Sequence, residues 1–158
     1  MSAFARDLLE FAEFALRTRE EGDEVARFIS SLLPDPAVAG MCLSELVVNA
    51  VEHGNLEIGG ELKCELLRAG SYERELAARY SAYPARRVRV SVRRRDRSLE
   101  ITIADEGNGF PWRRYIDAEL VASPRPNGRG IALVRTRFPD LEYLASGRVV
   151  IVRAELRS

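Results

Sequence analysis

The chain has 158 residues, and its 24 basic and 24 acidic side chains give a formal net charge of zero at pH 7. This length suits one domain with a substantial core, and the charge balance argues against a general basic surface for nucleic acid. Cys42 and Cys64 match no metal-binding spacing, which favours buried thiols in a reducing compartment. We find no signal-peptide pattern and no apolar run that could span a bilayer, and therefore expect a soluble cytoplasmic protein.

The first predicted elements are a strand and a helix. Residues 11–18 alternate apolar and charged side chains as a half-buried strand does, although residues 4–14 also fit a helix. Residues 20–33 predict a helix, because acidic residues fill its first turn and an apolar stripe follows. The prolines of Pro34-Asp35-Pro36 are expected to end it.

A long helix is predicted from about Ala37, with Gly54 placed to end it. Its polar residues Glu45, Asn49 and His53 lie one helical turn apart, so they share a face. Apolar residues recur at helical spacing on the other side: Leu43, Leu46, Val47, Ala50 and Val51. A carboxylate, an amide and an imidazole on one face are typical of a ligand site. Taken alone, the helix also fits an ordinary amphipathic element with a solvated polar face.

Residues 56–84 predict two short helices, 60–68 and 72–83, joined at Ala69-Gly70. We interpret 56–84 as a helical insertion on the main fold.

A β-hairpin is predicted next. Residues 88–92 and 99–103 alternate valine, leucine or isoleucine with polar side chains, and Asp96-Arg97 forms the turn. One face of the hairpin is therefore apolar and the other is rich in arginine. Such a stripe is more often the solvated side of a sheet than a binding surface for acidic partners.

The hairpin leads into a loop that contains Asp105, Gly107 and Gly109. Two glycines that flank one residue let the backbone turn sharply and approach a ligand closely. A carboxylate fixed at the end of a buried strand can accept a hydrogen bond from an exocyclic amine. A plain turn has the same composition, so the loop alone does not establish a site.

Residues 111–127 have weak periodicity and are predicted to be a mobile segment. Gly128, Arg129 and Gly130 then open a helix. Glycines at a helix N-terminus expose N–H groups to an anion, and an arginine suits phosphate oxygens. The side chains expected to face inward are Ile131, Leu133 and Val134.

The chain ends in a second predicted hairpin, 141–144 and 149–156, which turns at Ser146-Gly147. Together the elements predict a two-layer α/β sandwich, with a mixed, mostly antiparallel sheet and helices on one face. We expect a single domain over residues 1–158.

The three polar motifs, in this order, resemble those of the Bergerat-fold (GHKL) ATPases, which include gyrase, Hsp90, histidine kinases and MutL. The closest resemblance is to the anti-sigma-factor type of serine/threonine kinase domain. Within that type, Glu52–Ile58 and Leu141–Leu144 resemble a subgroup that carries a helical insertion. The resemblance extends from about Phe14 to Val152.

The resemblance implies ATP and Mg²⁺ as ligands, and it assigns roles to the helix and the loop. Asn49 would bind the magnesium ion, and Glu45 would be the general base that polarises the attacking hydroxyl. Asp105 would accept from the adenine amine. Gly107 and Gly109 would let the base lie against the backbone.

The same resemblance places the phosphates at Gly128, Arg129 and Gly130, with 111–127 as the lid. Ile131 and His53 are grouped with the nucleotide-binding residues. We expect His53, one turn beyond Asn49, to support its neighbours rather than to catalyse.

Two features depart from the family pattern. The family often has Gly-Thr near the last hairpin, with the threonine beside adenine, whereas this chain reads Ser146-Gly147-Arg148-Val149. The predicted lid is also short, which would leave ATP poorly enclosed.

The leading hypothesis is a protein serine/threonine kinase that regulates a sigma factor by partner switching. It would phosphorylate a serine of a STAS-type anti-sigma-antagonist protein. A second hypothesis is a nucleotide-dependent interaction module without catalysis, and a third is the detached catalytic domain of a two-component sensor kinase. We expect no direct contact with nucleic acid or membrane. Homodimerisation is plausible from the family and is left open.

Overall fold

The computed structural model describes residues 9–113 and 129–157. Five strands in these residues form one sheet: β1 (Phe11–Leu16), β2 (Val88–Arg95), β3 (Ser98–Ala104), β4 (Glu142–Leu144) and β5 (Val149–Glu155). Their order across the sheet is β1-β2-β3-β5-β4. All four pairings between these strands are antiparallel, so the parallel part of the predicted mixed sheet is absent from the described residues.

Across residues 9–113 and 129–157, five α-helices accompany the sheet: α1 (Arg19–Ser30), α2 (Pro36–Asn49), α3 (Gly60–Arg68), α4 (Tyr72–Ala82) and α5 (Arg129–Arg137). Helices α1 and α5 both pack against α2. Within the described residues, no helix is long and apolar enough to cross a membrane.

The sheet and helices form two layers because each central strand alternates its side chains between two environments. Val90, Ile101 and Val152 are fully buried and join the helix residues in one apolar cluster. On the outer face, Arg89 pairs with Glu13 at 3.4 Å and other arginines pair similarly with carboxylates. This confirms the predicted two-layer α/β sandwich, and the paired arginines fit a solvated outer face.

Helix α1 begins at a capping box. The Thr18 side chain accepts a hydrogen bond from the Glu21 amide, and the Glu21 carboxylate accepts one from the Thr18 amide. The helix ends at Ser30 rather than at the predicted Leu33. Leu32 and Leu33 instead form a short turn whose side chains remain fully buried.

Helix α2 does not end at Gly54, and the predicted role of this glycine was wrong. The chain continues from Asn49 directly into a π-helix, Ala50–Asn55, in which the Leu56 amide donates to the Val51 carbonyl at 2.9 Å. Single π-turns of this kind occur frequently at functional sites. Gly54 lies inside the π-helix, at a position where a Cβ would overlap the Asp105 side chain.

The remaining helices follow the predicted pattern with one exception. Helices α3 and α4 lie within two residues of the predicted bounds, as does the C-terminal hairpin. That α3 and α4 are an insertion stays a prediction. In α5, Ile131 and Val134 are buried as expected, but Leu133 is 49% exposed. The helical period places positions 131, 134 and 138 on the inner face and turns position 133 away from it.

We expect Thr18→Ala to lower the free energy of unfolding by about 1 kcal/mol, because it removes the side-chain acceptor at the start of α1. Urea denaturation followed by circular dichroism measures the change. Ser31→Ala is the matched control, since the Ser31 hydroxyl donates only to the Phe28 carbonyl at the exposed C-terminal end of the same helix. Equal losses in the two variants would contradict the capping argument.

Candidate functional site

A cavity of about 340 Å³ lies between the C-terminal half of α2, the ends of β3 and β5, and the start of α5. Small-molecule sites in proteins range from about 300 to 1,000 Å³. Seven of the residues predicted from the sequence line it: Glu45, Asn49, His53, Asp105, Gly109, Gly130 and Ile131. The structure therefore brings the three sequence motifs together around one space.

Glu45 and Asn49 form the polar floor of the cavity. They lie one turn apart on α2, and the Asn49 Nδ2 donates a hydrogen bond to the Glu45 Oε1 at 3.0 Å. This bond uses the donor side of the amide, so the Asn49 Oδ1 points its lone pairs elsewhere. Within residues 9–113 and 129–157 no hydrogen bond to that oxygen is formed. A cation that prefers oxygen ligands can therefore use it.

Asp105 lies immediately after β3, against the π-helix. Its Oδ1 accepts the Gly107 amide at 2.8 Å, and its own amide donates to the Arg148 carbonyl at 2.9 Å. A Cβ on Gly54 would overlap the Asp105 side chain. Only glycine at position 54 allows this carboxylate to reach the cavity.

The Asp105 carboxylate is largely removed from solvent. Burial raises its pKa above the usual 3.8, while the hydrogen bond from Gly107 and the charges of Arg148 and Arg86 act in the opposite direction. The protein thus holds a poorly hydrated acceptor at the end of a buried strand. Such a group has unsatisfied capacity for a hydrogen bond from a ligand.

The two loop glycines have different functions. Gly107 does not line the cavity. It packs against Gly54, and a Cβ on Gly107 would overlap the Gly54 carbonyl oxygen. Gly109 lines the cavity at a φ of 77°, which side chains rarely adopt, and it lies against the Ser146 carbonyl. That carbonyl also accepts the Phe110 amide at 3.0 Å, which ties the loop to the last hairpin.

The first turn of α5 closes the cavity beside Glu45. A Cβ on Gly130 would overlap the Glu45 carboxylate, so the helix backbone and this side chain are in direct contact. Ile131 adds an apolar wall. Gly128, the Arg129 side chain and the predicted lid beyond residue 113 lie outside the described part of the chain.

His53 lines the cavity, and its Nδ1 is hydrogen-bonded to the Ile58 carbonyl. A carbonyl oxygen only accepts, so the Nδ1 carries the proton in this bond. The contact fixes the imidazole against the residues that follow the π-helix. This geometry agrees with the expectation of a supporting role, which stays a prediction.

An aromatic cluster was missed in the sequence. Tyr143 of β4 lines the cavity, stacks on Trp112 at a centroid distance of 5.8 Å, and meets Phe110 edge-on at 5.2 Å. Burial, together with the negative charges of Glu45 and Asp105, raises the pKa of Tyr143, so its phenol stays neutral. Only long-range contacts assemble this cluster, although the Leu141–Leu144 motif contains its central member.

Glu57 was also missed. Its Oε1 accepts from the Arg86 guanidinium at 2.8 Å and from the Asn108 amide at 3.0 Å, and its Oε2 accepts from the Tyr83 hydroxyl at 2.9 Å. These hydrogen bonds from Arg86 and Tyr83 lower the pKa of Glu57, which is therefore an anion at neutral pH. The carboxylate anchors the Asp105–Gly109 loop at one wall of the cavity.

A family model described as the histidine kinase-like ATPase domain matches residues 22–154. The chain belongs to this family. No curated protein matches the sequence significantly. ATPase domains of the GHKL type generally bind ATP, usually with Mg²⁺. In this ATPase domain, seven of the residues predicted from the sequence line the cavity.

The cavity offers an oxygen ligand, the Asn49 Oδ1, for the Mg²⁺ ion that ATPase domains of this type usually bind together with ATP. Among residues 9–113 and 129–157, no group of three or more histidine, cysteine, aspartate or glutamate side chains could hold a metal ion. Mg²⁺ keeps several water ligands and commonly takes only one or two protein oxygens beside substrate phosphates. The Asn49 Oδ1 fits that requirement.

We expect Asp105→Asn to leave this ATPase domain as stable as the wild type, or more stable, at pH 7. The folded-state pKa of Asp105 lies above its unfolded value of 3.8. The free energy of unfolding therefore falls as the pH rises from 3.8 through the folded pKa, and it stays lower at higher pH. Below pH 3.8 this loss of stability is absent. Asparagine lacks the ionisation and keeps the acceptor for Gly107.

Urea denaturation at several pH values measures this difference, which should shrink as the pH falls from 7 towards 4. Glu100→Gln, on the outer face of the sheet, is the control for loss of one carboxylate. A variant that is less stable than the wild type at pH 7 and regains stability in acid would overturn the argument.

Proposed function

We propose that the protein is an ATP-dependent protein serine/threonine kinase of the anti-sigma-factor type. It would transfer the γ-phosphate of ATP to a serine of a STAS-type anti-sigma-antagonist protein and so control a sigma factor by partner switching. Membership of the histidine kinase-like ATPase family supports ATP-dependent, kinase-type chemistry. The serine acceptor and the partner follow from the sequence resemblance described above.

The position of Glu45 carries this proposal. Besides the cavity, it lines an outer groove of about 1030 Å³ that runs between α1 and α2. The groove is walled by charged and polar side chains such as Asp23 and Arg27. A hydroxyl from a docked protein can therefore approach Glu45 from the groove while a nucleotide occupies the cavity.

The cavity offers suitable groups for each part of ATP. The Asp105 carboxylate would accept from the exocyclic amine of adenine, with the backbone at Gly109 close to the base. The aromatic side chain of Tyr143 would provide apolar surface. At the other end, Asn49 would hold Mg²⁺, which neutralises charge on the phosphates, beside the N-terminus of α5.

Phosphoryl transfer asks the protein chiefly to position the reactants and to neutralise charge. As the serine oxygen bonds to the γ-phosphorus, the bond from that phosphorus to the bridging oxygen breaks and ADP leaves. Glu45 would accept the serine proton in this step. Its hydrogen bond from Asn49 would keep the carboxylate oriented between the two ligands.

A second candidate is a nucleotide-dependent interaction module. The stretch 146–149 lacks the threonine that the family often places beside adenine, and this departure favours weaker or non-catalytic nucleotide use. A sensor-kinase role would need a histidine acceptor on another protein. The only histidine of the chain, His53, lies in the cavity wall and is bonded to Ile58.

We expect Asn49→Ala to weaken ATP binding in the presence of Mg²⁺ by at least about tenfold, because it removes the amide oxygen that we propose binds the ion. Isothermal titration calorimetry of the purified protein with ATP, with and without Mg²⁺, measures the loss. Ser91→Ala, on the outer face of the sheet, should bind as the wild type does. Unchanged, Mg²⁺-dependent binding by Asn49→Ala would remove this residue from the ion site.

We expect Glu45→Gln to retain ATP binding but to slow phosphate transfer by about 100-fold or more, the usual contribution of a general base. Glutamine keeps an acceptor for Asn49 and cannot take up the proton. The measurement is the transfer of labelled γ-phosphate to a serine of a purified STAS-type partner. Full transfer by Glu45→Gln would exclude this base, whereas ATP binding without transfer by the wild type would favour the interaction module.

A further inference from the structure

Glu52 is a buried carboxylate that the proposed chemistry does not use. It lies in the π-helix, is only 1% exposed, and faces away from the cavity towards three other elements. Lys63 of α3 and the Tyr72 hydroxyl of α4 both donate hydrogen bonds to it. The Arg19 guanidinium at the start of α1 lies 3.6 Å from its Oε1.

The bridge between Glu52 and Lys63 closes a loop of the chain onto itself. Five residues within that loop line the cavity: His53, Gly54, Glu57, Gly59 and Gly60. The loop is also held internally, because the Ile58 amide donates to the Glu52 carbonyl at 2.8 Å and its carbonyl accepts from His53. One whole wall of the cavity is therefore a loop whose two ends are joined by a side-chain ion pair.

Because the Glu52 carboxylate is buried, the ion pair with Lys63 matters for the stability of the folded loop. Removing an ionised group from water is costly unless it is paired and hydrogen-bonded, and loss of one partner leaves the charge poorly compensated. Lys63 is the only lysine in the sequence, and its side chain is about one-third exposed. It lines the outer groove and not the cavity, so the amine is positioned to act on the wall rather than on a ligand inside.

We propose that Glu52 and Lys63 are positioning residues whose ion pair holds residues 53–60 in the conformation that receives the nucleotide. The inference rests on the proposed function only for the identity of the ligand. If forming the ion pair strengthens nucleotide binding by some factor, then nucleotide binding must strengthen the ion pair by the same factor, because coupling between two sites is reciprocal. A merely stabilising ion pair would not show this coupling.

The first test compares variants of the 158-residue chain. Lys63→Met should weaken Mg²⁺-ATP binding by about tenfold in calorimetry, and Lys63→Arg should restore most of it because it returns the charge. Hydrogen–deuterium exchange without nucleotide should show faster exchange in residues 53–60 of Lys63→Met. Arg89→Met, which removes the ion pair with Glu13 on the outer face of the sheet, is the control and should leave both measurements unchanged.

The second test needs no change at position 63. Because Lys63 is the only lysine, the acetylation of its amine by N-hydroxysuccinimide acetate can be followed by mass spectrometry of the peptide that contains it. Saturating Mg²⁺-ATP should slow this reaction several-fold in the wild type, since the ligand favours the paired amine. In Glu52→Gln the slowing should be lost, which separates coupling through the bridge from direct shielding of Lys63 by ATP.

The outcomes distinguish the two proposals. If the wild type binds no ATP, the proposed function fails, and exchange in residues 53–60 of nucleotide-free Lys63→Met still decides whether the bridge holds the wall. Equal exchange in the wild type and Lys63→Met would overturn the positioning role. Equal acetylation rates with and without bound ATP would overturn the coupling, including in the case that Lys63→Met does not fold.

Discussion

The cavity exists because the end of a helix and the end of a strand come closer than side chains normally permit. Gly54 offers no Cβ, so Asp105 can lie against the π-helix, and Gly107 in turn lies against the Gly54 carbonyl. These contacts fix the base of the cavity where α2 meets β3. The polar groups that enter the site from the long helix are positioned relative to this contact. A Cβ at position 54 would force the helix and the strand apart, and the carboxylate of Asp105 would then be separated from the rest of the site.

Several polar groups at and around the cavity are held in place by backbone atoms. Asp105 is fixed through the Gly107 amide and the Arg148 carbonyl, His53 through the Ile58 carbonyl, and Asn55 accepts the Glu106 amide at 2.7 Å. Backbone partners cost no side-chain rotamer entropy, so this arrangement keeps the site preorganised. Direct pairs between side chains are found at two places, between Asn108 and Glu57 at one wall and between Asn49 and Glu45 at the end where the proposed chemistry takes place.

The sandwich and its two hairpins could be predicted because burial on one face imposes a period on the sequence, as valine and isoleucine do in β2 and β3. The grouping of Glu45, Asn49 and Asp105 was implied by the resemblance of the three motifs, in their order, to those of the Bergerat-fold ATPases. The π-helix could not be predicted, since its hydrogen bond from Leu56 to Val51 depends on the tertiary fit of Gly54. Glu57 and Tyr143 reach the site only through partners far away in sequence. Leu133 was predicted to face the core because it is apolar, but its position in the helix turns it towards solvent.

One feature of the aromatic cluster has a practical consequence. Trp112 is the single tryptophan of the chain, and it stacks at 22° on Tyr143, which itself forms part of the cavity wall. Red-edge ultraviolet absorption and emission from the unlabelled protein therefore originate at one location, adjacent to the site. The protein therefore carries an intrinsic fluorophore one side chain away from the cavity, and no dye or engineered chromophore has to be introduced to place one there.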